Sequence, residues 1–171
     1  MAILKVSRLG HPVLREKASE VEVKDIKAGK FRLLIEDMIE TMHEYEGVGL
    51  AGPQVHLPLR IFVFEVEEKV AKRRGIPKLG AGVFFNATYE PIGRETITDW
   101  EGCLSVPFLG GEVPRFKKIR LRGIDHEGKG VDIEVEDFTA RIFQHEIDHT
   151  EGHVYLDRMP DLRTLGYTII L

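Results

Sequence analysis

Two stretches of the chain repeat apolar side chains at the three- and four-residue spacing of an amphipathic helix. The first covers residues 26–46, and its pattern predicts a long helix that lies on a sheet, with its two methionines as core-filling side chains. The second covers about residues 138–151. It predicts a helix with Asp137 or Thr139 as the N-cap and Gly152 as the stop.

Runs rich in β-branched and aromatic residues predict strands between and after these helices. The predicted strands cover residues 61–66, 83–90, 94–100, 118–122, 131–135 and, as a short terminal strand, 167–171. The charged stretch 67–80, which contains Gly75 and Pro77, is expected to be an exposed loop. Neither a repeat nor a linker interrupts this order, so we expect one α+β domain over residues 1–171.

Composition and charge narrow the class of protein. A net charge of -4 and an isoelectric point near 6.0 give no sign of a stable nucleic-acid complex. Cys103 is the only cysteine, so no internal disulfide can form and a reducing compartment is expected. No apolar run has the length of a secretory signal or a membrane span. We therefore expect a cytoplasmic protein without membrane contact, with an organellar matrix as the alternative.

The clearest chemical signal is the segment 145–149, which fits the pattern His-Glu-x-x-His on a predicted helix. Histidines four residues apart share one helix face, so both can bind one ion while Glu146 takes a proton from water. Phe138 and Ile142 continue the same face, which places the histidines on the apolar side of the helix. The alternative is a solvated turn with two surface histidines.

A catalytic ion of this kind needs a third protein ligand and one open position. The position six residues after the second histidine is Tyr155, and no glutamate follows Glu151, so the usual downstream ligands are missing. Cys103, which directly follows a predicted strand, is the upstream candidate. Its alternative role is that of a small buried hydrophobic residue.

Three segments together are similar to the peptide deformylase family: residues 47–54, 101–105 and 144–149. The resemblance extends from Leu9 to Arg158. It implies the family's α+β fold, with antiparallel sheets around a central metal-binding helix. It also implies hydrolysis of the formyl group from N-formylmethionine at the start of nascent peptides.

The resemblance further implies a role for individual residues. The implied metal ligands are Cys103, His145 and His149. The bound ion would be a single divalent metal, iron(II) in cells, with zinc, nickel or cobalt able to replace it. Glu146 is implied as the general acid and base, and Gln54 and the backbone N–H of Leu104 as donors to the oxyanion.

The substrate is expected to lie beside these groups. The resemblance implies that Gly49 faces the formyl end, and Gly102 is a further substrate-binding candidate. Val48 and Ile142 are candidate walls of an apolar slot for the methionine side chain, with ordinary core packing as the alternative. Substrate preference stays open because the usual family pattern is not followed at Gly52, Gly110 and Thr150.

Other interpretations remain open at this point. Another metallopeptidase, or a deformylase-like protein without activity, is the alternative to a deformylase. Arg115 is a candidate ion-pair partner of Glu101, and Asp148 is either an orienting group or an exposed helix charge. The basic stretches 72–74 and 117–122 are interpreted as solvated surfaces, with transient ribosome contact as the alternative.

Overall fold

The computed structural model describes residues 2–168, which form helices and two antiparallel sheets. The helices are α1 Val23–Lys27, α2 Arg32–Glu44, α3 Glu68–Arg74 and α4 Asp137–Thr150. The strands are β1 Gly49–Ala51, β2 Ile61–Val66, β3 Leu79–Pro91, β4 Thr96–Cys103, β5 Val106–Phe116, β6 Lys118–Ile124, β7 Gly130–Glu136 and β8 Gly166–Tyr167. One sheet has the order β1-β2-β3-β6-β7 and the other β4-β5-β8, which confirms an α+β fold with antiparallel sheets.

The five-stranded sheet carries apolar side chains on both faces. Along β2, Val63 belongs to the core cluster that contains Met38 of α2, whereas Phe62 and Phe64 pack against Phe143 of α4. Successive strand residues point to opposite faces, so a nearly continuous apolar run can serve two helices at once. Both methionines of α2 are fully buried, as expected for core-filling side chains.

The three-stranded sheet contributes the loop that faces α4. β4 and β5 are joined by the two-residue turn Leu104–Ser105, and their register shifts between Gly102 and Cys103. Such an irregularity bends a strand and redirects its side chains. Helix α4 contacts β5 of this sheet as well as β1, β2 and β3 of the larger one. None of the helices within residues 2–168 is both long and apolar enough to cross a lipid bilayer.

The helix predicted over residues 26–46 is interrupted, so that prediction was wrong in its first turns. The chain forms the short helix α1, leaves the helical path at Gly29, where φ is +70°, and starts α2 only at Arg32. A positive φ is incompatible with a continuing right-handed helix and favours glycine. The apolar spacing of residues 34–42 correctly predicted a helix there, but that helix does not extend back to Ile26.

The loop predicted over residues 67–80 was also wrong, because α3 occupies half of it. Ala71 is buried, and Val70 and Ile76 pack against the core that surrounds α4. Gly75 ends the helix with φ at +66°. The charges that suggested a loop lie on the solvent side, and three of them are basic residues in the last turn, where they suit the helix dipole.

Strand β5 was not predicted, because Pro107, Pro114 and two glycines interrupt its pattern. Within the described residues β8 pairs with Leu109 and Gly110, so Pro114 lies beyond that pairing, where a missing N–H is tolerated. Its neighbour β4 covers residues 96–103 rather than 94–100. The strand over residues 61–66 is confirmed residue for residue, and the strands predicted over residues 118–122 and 131–135 appear as the paired strands β6 and β7.

The predicted N-cap of the helix that carries His145 and His149 was wrong. Glu136 precedes the first turn of α4, and no side chain makes a capping hydrogen bond there. Gly152, with φ at +82°, follows the last turn as expected. Of the predicted terminal strand, β8 includes Tyr167, while residues 169–171 lie outside the described part of the chain.

Candidate metal centre and active site

Three potential metal ligands meet where α4 faces the end of β4. The sulfur of Cys103 lies 3.3 Å from Nε2 of His149, and the two Nε2 atoms of His149 and His145 are 3.2 Å apart. All three ligand atoms lie within 4.8 Å of one another. The helix provides both imidazoles one turn apart, and the register shift in β4 turns the thiol towards them.

The spacing of these atoms fits one ion. A tetrahedral site with metal–nitrogen distances near 2.1 Å and a metal–sulfur distance near 2.3 Å separates its ligand atoms by roughly 3.4–3.6 Å. Burial opposes ionisation of the Cys103 thiol, but the imidazoles of His149 and His145 outweigh it and hold the pKa well below its ordinary value. A thiolate with two imidazoles suits iron or zinc better than magnesium.

Glu101 orients one of the two histidines. Its carboxylate lies 2.9 Å from Nδ1 of His145, which leaves Nε2 directed at the space between the three ligand atoms. Arg115 donates to both carboxylate oxygens at 2.8 and 2.9 Å, and Arg141 donates to one of them at 2.7 Å. Burial alone would raise the pKa of Glu101, but the hydrogen bonds from Arg115 and His145 hold it well below its usual range. The expected ion pair between Glu101 and Arg115 is thus present.

Asp148 is a buried member of the same network. Arg115 donates to it at 2.6 Å, and Arg158 donates at 2.8 and 3.1 Å. Its hydrogen bonds with Arg158 and the charge of Arg115 overcome the effect of burial and lower its pKa. The interpretation of Asp148 as an exposed helix charge is wrong, because only 3% of the residue is exposed.

Glu146 lies beside the three ligand atoms, and within residues 2–168 it has no ion-pair partner. It is buried, and its Oε2 has no hydrogen-bond partner among the described residues. Burial raises its pKa to about 7, although the nearby imidazoles of His145 and His149 oppose the shift. A carboxyl group with such a pKa can both accept and release a proton near neutral pH.

Gly49 faces this carboxylate. A Cβ atom at position 49 would lie 2.3 Å from Oε1 of Glu146, closer than any real contact. The position therefore has room only for glycine while Glu146 keeps its place.

The two candidate oxyanion donors lie on separate loops. Gln54 belongs to the 3-10 turn Gly52–Val55, and its Oε1 accepts from the Ala51 N–H at 2.9 Å. This bond directs Nε2 towards the site, where it lies 3.4 Å from the Cys103 sulfur and 3.3 Å from the Ser105 hydroxyl. Leu104 follows Cys103 in the turn between β4 and β5 and also lines the cavity.

A cavity of about 590 Å³ opens onto these groups. Its lining includes the candidate substrate-binding residues Val48, Gly49, Gly102 and Ile142, together with Gln54, Leu104, His145, Glu146 and Cys103. Phe138 lines it too, one turn before Ile142 on the same helix face. Val48 and Ile142 also contact the core around α4, so each has one side in the core and one at the cavity.

Sequence reasoning missed Arg141, Ser105 and Tyr155. Tyr155, which was considered only as a failed ligand position, is buried and stacks on His145 with ring centroids 6.5 Å apart. Arg141 and Ser105 make hydrogen bonds that only the fold brings together, so no local pattern marks them. The basic residues of α3 were noted, and two of them, Arg73 and Arg74, line the cavity mouth.

Comparison with known proteins identifies relatives over nearly the whole chain. The family model described as polypeptide deformylase matches residues 3–164. Peptide deformylase 1 of Bordetella pertussis is 44% identical over 172 residues, which cover 99% of this chain and 93% of that protein.

Solved structures agree with this likeness. The class I type b peptide deformylase from Acinetobacter baumannii with Met-Ala-Ser bound superposes with a TM-score of 0.85 and 29% identity, over 92% of this chain and 99% of that one. The peptide deformylase from Thermus thermophilus gives a TM-score of 0.78 and 40% identity, over 92% of this chain and 86% of that one.

Proposed function

Since the chain belongs to the polypeptide deformylase family, we propose that it removes the formyl group from N-terminal formylmethionine with the residues gathered between α4 and β4. The enzyme is a metallohydrolase of nascent peptides. Cys103, His145 and His149 are the proposed ligands of its single ion. The observation that carries this assignment is the meeting of one thiol and two imidazoles directly beside a buried glutamate whose Oε2 has no hydrogen-bond partner in the described part of the chain.

A divalent ion at these three ligands would supply Lewis acidity, which lowers the pKa of a water molecule and polarises the formyl carbonyl. Glu146 accepts the proton of the attacking water and then donates it to the leaving amine, a cycle that its pKa of about 7 permits. The Gln54 side-chain amide and the Leu104 N–H donate to the formyl oxygen as it gains negative charge. Formate and a free methionine amine are the products.

Substrate binding is assigned to the cavity walls. Val48 and Ile142 form the apolar slot for the methionine side chain, and Gly49 and Gly102 let the peptide approach the reacting groups closely. The A. baumannii enzyme is described with Met-Ala-Ser bound, a peptide that has the sequence of a deformylated product. Such a peptide also fits a cavity of about 590 Å³.

The remaining parts of the proposal concern context. Iron(II) is the proposed ion in cells, since the thiolate favours a soft metal, and zinc, nickel or cobalt can replace it. The chain acts as one catalytic domain over residues 1–171, with α4 as its central metal-binding helix and α2 as the amphipathic helix on the other side of the large sheet. Its place of action is the cytoplasm, with transient contact at the ribosome.

Formate release from formyl-Met-Ala-Ser tests the function. Protein purified without oxygen and analysed for metal should contain about one ion per chain and release formate, and Glu146→Ala should abolish turnover while retaining the ion. Acetyl-Met-Ala-Ser and an unblocked longer peptide serve as controls. Cleavage of internal peptide bonds would instead indicate a metallopeptidase, and a loaded protein that leaves formyl-Met-Ala-Ser intact would indicate an inactive relative.

A further inference from the structure

The segment 2–9 runs along α2 and then reaches both loops that carry the proposed oxyanion donors. The N–H of Ala2 donates to Asp37 Oδ1 at 2.7 Å, and the N–H of Leu4 donates to Thr41 Oγ1 at 2.8 Å. These bonds fix the start of the segment to the helix. The mechanism described above assigns no role to any residue of this segment.

Ser7 holds the loop of Gln54. Its N–H donates to the Gln54 carbonyl oxygen at 2.7 Å, and its hydroxyl lies 3.2 Å from the same oxygen and 3.0 Å from that of Pro53. Only 2% of Ser7 is exposed, so water cannot replace these bonds. The backbone from which the Gln54 side chain projects is thereby held at two successive carbonyl groups.

The next two residues hold the turn that carries Leu104. The Leu9 N–H donates to the Ser105 carbonyl oxygen at 2.8 Å, and the Arg8 guanidinium donates to the carbonyl oxygen of Leu104. The Gln54 amide donates to the Ser105 hydroxyl at 3.3 Å, which joins the two loops on the cavity side. Three consecutive residues therefore connect the two donor loops a second time.

We propose that Ser7 and Arg8 are positioning residues that set the relative placement of the Gln54 amide and the Leu104 N–H. The inference rests on the proposed function, in which these two groups stabilise the oxyanion. Preorganised donors are effective only when they already point at the place where charge develops, within about 0.5 Å. Loss of a contact that holds a donor loop then reduces the rate of the chemical step without weakening substrate binding.

Ser7→Ala tests the first contact because it removes only the hydroxyl. Removal of a whole oxyanion donor costs about 10²–10³ in kcat, so displacement of one is expected to lower kcat about tenfold. KM and metal content should stay within about twofold of the wild type. Thr164→Val is the control: that hydroxyl also makes two hydrogen bonds, accepting from the Glu112 N–H at 3.2 Å and donating to the Asp161 carbonyl at 2.9 Å, and neither partner belongs to the segment 2–9 or to a donor loop. It should lower the melting temperature and leave kcat unchanged.

A double-mutant cycle separates positioning from general support. If Ser7 acts through Gln54, Ser7→Ala should reduce kcat by less than about twofold in a Gln54→Ala background. Arg8→Met should also lower kcat, and Arg8→Lys, which retains a donor, should restore part of it. Additive losses in the cycle, or an equal loss in Thr164→Val, would overturn this inference alone, provided that the wild type releases formate. A wild type that releases no formate overturns the proposed function together with it.

Discussion

Replacement of Gly49 by alanine is the most direct perturbation of the proposed proton shuttle. The new Cβ would lie 2.3 Å from Oε1, 2.7 Å from Cδ and 2.9 Å from Cγ of Glu146. Since three atoms of one side chain are too close, rotation of the carboxylate alone does not relieve the clash. The φ of Gly49 lies outside the left-handed region, so alanine meets no backbone strain and the effect is steric.

The size of the effect follows from these distances. To leave contact range, the carboxylate oxygen must move from 2.3 Å to beyond 3.0 Å, a displacement of about 0.7 Å. A misplacement near 1 Å of a reacting group can cost about 10²-fold in rate, because the reacting atoms leave the near-attack geometry. We expect kcat to fall about 10²-fold, with metal content unchanged because no ligand atom is displaced.

Formate release under saturating formyl-Met-Ala-Ser is the assay, with metal content measured on the same samples. Gly80→Ala is the control, because a Cβ at that position in β3 meets no atom within 4 Å. It should leave kcat unchanged. If Gly49→Ala kept kcat within threefold of the wild type, either Glu146 moves freely or it does not shuttle the proton, and the reasoning would be refuted.

Four further predictions concern the charges of the site. With the ion removed, Glu146→Gln should raise the melting temperature above pH 7, because folding raises this pKa from 4.5 to about 7; the gain should vanish below pH 4.5, where the wild-type carboxyl is neutral in both states. Glu101→Gln should weaken zinc affinity by about 10–100-fold in a chelator competition, since the acceptor that orients His145 loses its negative charge, and unchanged affinity would contradict that role. The same variant should lose less stability than the wild type as the pH falls below 4.5. Because folding lowers the pKa of Glu101, its carboxylate stabilises the folded state fully above pH 4.5, and this stabilisation is lost progressively as the pH falls further. Arg115→Met should cost about 3–5 kcal/mol in urea unfolding, because it leaves Glu101 and Asp148 buried without their shared partner; a loss under about 1 kcal/mol would argue against the network.

Elements with an unbroken local pattern could be predicted from the sequence. The strand β2 and the helix α4 were predicted to within one residue, because each buries a long and regular set of apolar positions. Strand β5 and helix α3 could not, since prolines, glycines and charges dominate their local signal. Their stability comes from contacts with distant residues, such as Ala71 with the core around α4.

The candidate site likewise contains residues that a local pattern predicts and residues that no local pattern marks. Helical spacing brings His145 and His149 together, and the absence of a downstream ligand directs attention to Cys103. Arg115 and Asp148 were candidates that no regular pattern supported, and Arg141 was missed, because these residues meet Glu101 or one another only when α4 packs against β4 and β5. No sequence pattern marks Ser7 either, since a lone serine is compatible with a loop, a helix cap or an exposed surface as well as with a buried contact.

The turn between β4 and β5 places three kinds of function on neighbouring residues. In the proposed mechanism Cys103 provides a ligand atom and Leu104 a backbone donor, while the Ser105 hydroxyl accepts from Gln54, and the pairing of Cys103 with Val106 closes the turn behind them. An inserted or deleted residue here would shift all three together, so this turn cannot change its length by small, separately tolerated steps. Evolutionary variation in substrate range is therefore expected at the cavity mouth, where residues such as Phe108 and Arg73 are exposed and make no comparable contacts among the described residues.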